Sequence, residues 1–216
     1  MFDLSADILL ALLNKPVIII ITILGAFLLG QRLILQTLCL IAFGVILNVA
    51  LKGTFQIPHS PELSTTYVFP SGHMQVGTMF YLWWALYVSW LTRSVIFLIL
   101  LGIGLSLIHY HFHTLVDVAG GFFFGMLAMG LYRYILLKNF TYFPWCFWIL
   151  ASLLMLYNTL VYHAAPPHAW MAYYYLSILI FIERMLSWNG RFFSGWQPVL
   201  SNPYQRTASR SSPKSA

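Results

Sequence analysis

Seven apolar runs, at residues 16–30, 33–51, 74–91, 94–110, 115–137, 145–162 and 168–186, follow one another with polar breaks that are short except at 52–73. Each is close to the ~20 residues that a helix needs to cross the hydrocarbon core of a bilayer. A backbone amide or carbonyl exposed to lipid has no water partner, so only helices and closed barrels span membranes. Runs of this length favour helix over strand. The expected fold is therefore all-α: a polytopic transmembrane bundle of six or seven spans, the count turning on the short run 16–30. Only 7% of residues are charged and 60% are hydrophobic, against about 25% and 45–50% in a soluble domain.

Residues 1–198 form one expected domain, with 1–15 a candidate interfacial helix leading into Lys15-Pro16. Residues 199–216, rich in Ser, Arg and Pro, are expected to be a disordered cytoplasmic tail. The net charge of +6 is scattered between the runs, which argues for topology markers and against a nucleic-acid partner. Cys39 and Cys146 lie inside runs and are expected to be buried free thiols. Trp83, Trp84, Trp90, Trp145, Trp148 and Trp170 lie mostly near run ends, as an aromatic belt would.

Folding the runs up and down sorts two residue classes. Nine of the eleven basic residues fall on one side: Arg32, Arg93, Arg133, Lys138, Arg184, Arg191, Arg206, Arg210 and Lys214. All seven histidines and Asp117 fall on the other. The positive-inside rule makes the first side cytoplasmic. The histidine side then faces the periplasm, if this is a bacterial inner-membrane protein, or the lumen of a eukaryotic endoplasmic reticulum.

Two short strings on that side carry chemistry. His113 and Asp117 are four apart at the head of one run and share a helix face. A carboxylate accepting from one imidazole nitrogen fixes the tautomer and leaves the other nitrogen nucleophilic. Pro70-Ser71-Gly72-His73 heads another run. Its turn would aim backbone N–H groups at an anion beside a helix N-terminus, with His73 placed to protonate a leaving oxygen. His109, His113 and Asp117 also have metal-ligand spacing. These strings also resemble a family motif that works without metal and accounts for His113 and Asp117, so neither metal nor other cofactor is expected.

The combination resembles the type-2 phosphatidic acid phosphatase family of membrane lipid phosphatases, over about residues 52–121. That family's pattern has three parts: Lys-x6-Arg-Pro, Pro-Ser-Gly-His and Ser-Arg-x5-His-x3-Asp. The second is complete at Pro70–His73, the third runs from Ser106 through His113 to Asp117, and the first is partial, from Lys52 to His59. The resemblance implies a metal-independent hydrolase acting on a lipid phosphate. His113 would be the nucleophile, Asp117 its orienting carboxylate and His73 the general acid. Lys52, Ser71, Gly72 and His59 would hold the phosphate. Leu107 and His59 stand where the family has phosphate-binding arginines, and neither reproduces a guanidinium fork. His109 and His111 are candidates to compensate.

Two other readings share these residues. His113-Thr114-Leu115-Val116-Asp117-Val118 is similar to a string in sphingolipid-type phosphotransferases, which pass the headgroup to a lipid alcohol. A catalytically impaired lipid-binding or scaffold protein would account for the missing arginines. The oligomeric state is not encoded in any of these features.

Overall fold

The computed structural model describes residues 2–29, 31–58, 67–138 and 141–188. These residues form eight α-helices and no strand. In chain order they are α1 (Phe2–Ala11), α2 (Lys15–Leu29), α3 (Gln31–Phe55), α4 (Gly72–Ala85), α5 (Trp90–His109), α6 (Leu115–Lys138), α7 (Phe143–Tyr162) and α8 (Pro167–Trp188). Among them α3, α5, α6 and α7 are long and apolar enough to cross a membrane, and α1 with α2, bent by 59°, makes a fifth if the pair is one span. This is fewer than the six or seven expected from run lengths. The run 74–91 is interrupted: α4 stops at Ala85 and a turn precedes Trp90. Its 14 residues rise about 21 Å, short of the ~30 Å core.

The outward surfaces favour a membrane. Leu98, Leu127, Leu153 and Leu160 are each more than half exposed, and continuous apolar surface of this kind is unstable in water. The interior is built on α3 and α4. Helix α3 packs against α2, α4, α7 and α8, while α4 packs against α3, α5 and α6. An aromatic cluster fills the end of the bundle away from His73: Tyr132 lies 5.3 Å from Trp83, 4.9 Å from Phe143 and 5.0 Å from Phe147 between ring centroids. Trp83 and Trp84 are therefore core residues and not part of a belt. Their helix ends inside the bundle, so a position near a run end is not a position near the lipid surface. Trp90 is 76% exposed and does face outward. Cys39 is buried as expected, but Cys146 is exposed on the surface of α7, and both are free thiols.

Helices α4 and α6 approach each other closely. A Cβ on Gly121 would lie 2.6 Å from the carbonyl oxygen of Ser71, and one on Gly125 would lie 2.6 Å from that of Gln75. The four-residue spacing of these glycines lets two membrane helices touch backbone to backbone. Helix α1 uses the same device. Leu9 fills the space over Gly102 of α5, and Leu13, just past α1, fills that over Gly77 of α4. Tyr81 Oη donates to the carbonyl of Leu12 at 3.0 Å. The N-terminal helix is thus wedged into the α4–α5 groove.

Gly121→Leu is expected to force α4 and α6 apart and to lower stability by about 1–3 kcal/mol, seen as a lower thermal midpoint in detergent. An unchanged midpoint would show that the two backbones are not in contact.

Candidate functional site

Three connections meet at one end of the bundle: α3 to α4, α5 to α6, and α7 to α8. His73, His109, His111, His113, His163 and His168 all lie at this end, whereas Arg32, Arg93, Arg133 and Lys138 lie toward the opposite helix ends. The segregation seen along the sequence is therefore present in three dimensions among the described residues.

The α5–α6 connection is defined by its hydrogen bonds. Helix α5 ends with His111 in the left-handed region, φ 54°. The His111 amide donates to Ile108 at 3.0 Å and the Phe112 amide to Leu107 at 3.1 Å. This is a Schellman ending, in which glycine is the usual left-handed residue. The Leu107 carbonyl also accepts from the His113 amide at 3.3 Å. Leu107 turns its side chain into the core; its part in the turn is played by its backbone.

Helix α6 then starts with a reciprocal cap. The Thr114 amide and hydroxyl both donate to Asp117 Oδ2 at 2.8 Å, and the Asp117 amide donates to Thr114 Oγ1 at 3.2 Å. Such a box satisfies amides that the first helical turn leaves open. His113 Nδ1 lies 3.9 Å from the same Oδ2, both side chains being nearly enclosed. Asp117 thus serves as a helix cap and as the anion beside His113.

The Pro70–His73 string meets this cap directly. The Ser71 amide donates to the Asp117 carbonyl at 3.0 Å, and the Ser71 hydroxyl accepts from the Met74 amide at 3.4 Å. The Phe69-Pro70 peptide is cis. Asn48 holds the turn from α3, donating to the Pro70 carbonyl at 3.3 Å and to Gln75 Oε1 at 2.9 Å. A Cβ on Gly72 would come 2.8 Å from Asn48 Oδ1, so this position needs glycine. Ser71 is fully buried and its contacts are internal. The first-turn amides of Gly72 and His73 have no acceptor within their own helix.

Lys52, half-buried in the last turn of α3, lies within the electrostatic reach of Asp117, His73 and His168. The His73 side chain reaches the surface, yet surrounding protein displaces enough water from the ring to lower its pKa, and the Lys52 ammonium lowers it further. His168 responds in the same way to the same two causes. Its turn is held over Lys52 by α7, since Tyr162 Oη donates to the Val49 carbonyl at 3.2 Å and Gly53 packs against Val161 and Tyr162. The spacing of residues assigned His168 no part in the site; no motif carries it, and only tertiary packing brings it near Lys52. Of the candidates to compensate for arginine, His109 is engaged by Asp3 at 2.9 Å and His111 is exposed on the Schellman turn. His59 lies outside the described residues. Among the described residues no group of three His, Cys, Asp or Glu side chains is placed to hold a metal ion.

Comparison of the chain with models of known protein families, with curated proteins and with solved structures finds no match in any of the three.

An NMR titration of the His73 ring in detergent is expected to give a midpoint below the ordinary value of 6.5. Lys52→Gln removes a like charge that opposes protonation, so the midpoint should move up. No movement would place Lys52 too far away to act on the same ligand.

Proposed function

We propose that this chain is an integral-membrane lipid phosphatase that hydrolyses a phosphomonoester or diphosphate through a phosphohistidine on the extracytoplasmic face. The observation that carries the reading is the 3.0 Å bond from the Ser71 amide to the Asp117 carbonyl. It joins the two reactive strings, so His73 and the His113–Asp117 pair come from adjacent turns with Lys52 nearby. In this reading α4 and α8 complete the bundle to six or seven crossings, with the arginine-bearing end cytoplasmic.

Each group then has a task. Lys52 and the first-turn amides of α4 bind the phosphate. Asp117, 3.9 Å from His113 Nδ1, closes on that nitrogen when substrate binds and orients the ring, so Nε2 attacks phosphorus. The bond from phosphorus to the lipid oxygen breaks, and His73 in its imidazolium form gives that oxygen its proton, a step that its lowered pKa makes favour acid conditions. Water next attacks the phosphohistidine with His73 taking its proton, and phosphate leaves. Without the two arginines the cradle is weaker, and each lost donor is expected to slow the reaction by about 10²–10³-fold.

A second reading keeps the first half of this scheme and replaces water by a lipid alcohol. The His113–Val118 string, similar to that of sphingolipid-type phosphotransferases, favours it. In a third reading the missing arginines mark an impaired, lipid-binding protein.

The decisive assay is phosphate release by purified protein from phosphatidic acid, phosphatidylglycerophosphate, an isoprenyl diphosphate and a phosphorylated saccharolipid. His113→Ala is expected to abolish release, and Asp117→Asn to leave a residue about 10³-fold or more below wild type. Equal release by His113→Ala and wild type would sink the phosphohistidine. Release that appears as headgroup transfer only when a lipid alcohol is added would favour the second reading.

A further inference from the structure

Helix α1 does more than line the bundle. Its Asp3 and Asp7 are four apart and share a face, and both reach the residues that end α5. His109 Nε2 donates to Asp3 Oδ1 at 2.9 Å. Tyr110 Oη donates to Asp7 Oδ1 at 2.6 Å and stands 3.2 Å from the Asp3 carbonyl. These residues lie three and four positions before His113.

The turn they hold has reason to need holding. His111 occupies the left-handed region with a full side chain, a conformation that L-residues other than glycine disfavour. Strain of this kind persists where surrounding contacts over-determine it. Helix α5 packs little against α6; its neighbours are α4 and α1. The groove filled by Leu9 over Gly102 fixes α1 against α5, and the Asp7–Tyr110 bond transmits that placement to the turn. The neighbouring carboxylate raises the Tyr110 pKa to about 12, so the phenol stays a donor across the working range.

We propose that Asp3 and Asp7 are positioning residues: through His109 and Tyr110 they clamp the left-handed α5–α6 turn and so set the attack geometry of His113. The proposal rests on the phosphohistidine reading for its kinetic consequence, but the clamp itself can be tested without turnover.

Hydrogen exchange of the peptide covering residues 110–114 reads the clamp directly. Tyr110→Phe and Asp7→Ala should each speed exchange of the Phe112 and His113 amides about tenfold, while Ile8→Ala, on the exposed side of α1, should not. Asp7→Asn keeps an acceptor for Tyr110 and should restore protection. In phosphate release from the lipid panel, Tyr110→Phe and Asp7→Ala should each lower kcat about tenfold with KM changed less than twofold, and the double variant should be no worse than either. Unchanged exchange in both single variants overturns the clamp, whatever the activity. Faster exchange with unchanged kcat overturns the positioning role. A wild-type protein that releases no phosphate from any lipid defeats the proposed function, and exchange then still decides the clamp.

Discussion

The α4–α6 contact is the constraint on which the rest of the arrangement depends. Gly121 and Gly125 bring two backbones within the distance at which a single methyl group would collide with a carbonyl. At that separation the amide preceding α4 can bond the first turn of α6, Ser71 to Asp117 at 3.0 Å. Lipid gives no hydrophobic drive for two apolar helices to associate, so close packing and internal hydrogen bonds must do it. The reactive strings are neighbours because small residues one and two turns deeper allow the backbones to meet.

Burying polar atoms in such an environment is tolerable only when they are paired. For Asn48, Gln75 and Asp117 the chain meets this with shared partners. Asn48 serves the Pro70 carbonyl and Gln75, and Gln75 also donates to the Gly44 carbonyl at 3.4 Å. Asp117 Oδ2 serves two donors of Thr114 while lying beside His113. At the opposite end Arg184 closes on the nearly buried Glu183 through Nε at 2.6 Å and Nη2 at 2.8 Å. Each polar side chain that holds the site thus also completes the hydrogen bonding of a helix end or a helix contact, which couples the geometry of the site to the integrity of the bundle.

Much of this was legible in the sequence, because membrane solvation writes itself into run length and charge placement. The all-helical class and the gathering of the described histidines at one end followed from runs and spacing. What escaped depended on tertiary partners. Trp83 and Trp84 looked like belt residues, since a run end carries no mark of whether its helix stops inside the bundle. Ser71 looked like a phosphate ligand, and only packing reveals that Met74, Gln75, Asp117 and Gly121 enclose it. His168 gave no signal, for its nearness to Lys52 arises from α7 docking on α3. The leucines of α1 have ordinary apolar spacing, and nothing in that spacing says that Gly102 and Gly77 receive them.

The wedged position of α1 also bears on how the bundle is assembled. Asp3 and His109 are separated by 106 positions in the chain, so α1 is synthesised long before the groove that receives it exists. Closing so long a loop adds little entropy cost over a shorter one, so the contact tolerates its distance in sequence. Leu9 sits over Gly102 of α5 and Leu13 over Gly77 of α4, so full seating of this segment draws on both helices. The α5–α6 turn is thus held by a segment 106 positions earlier in the chain.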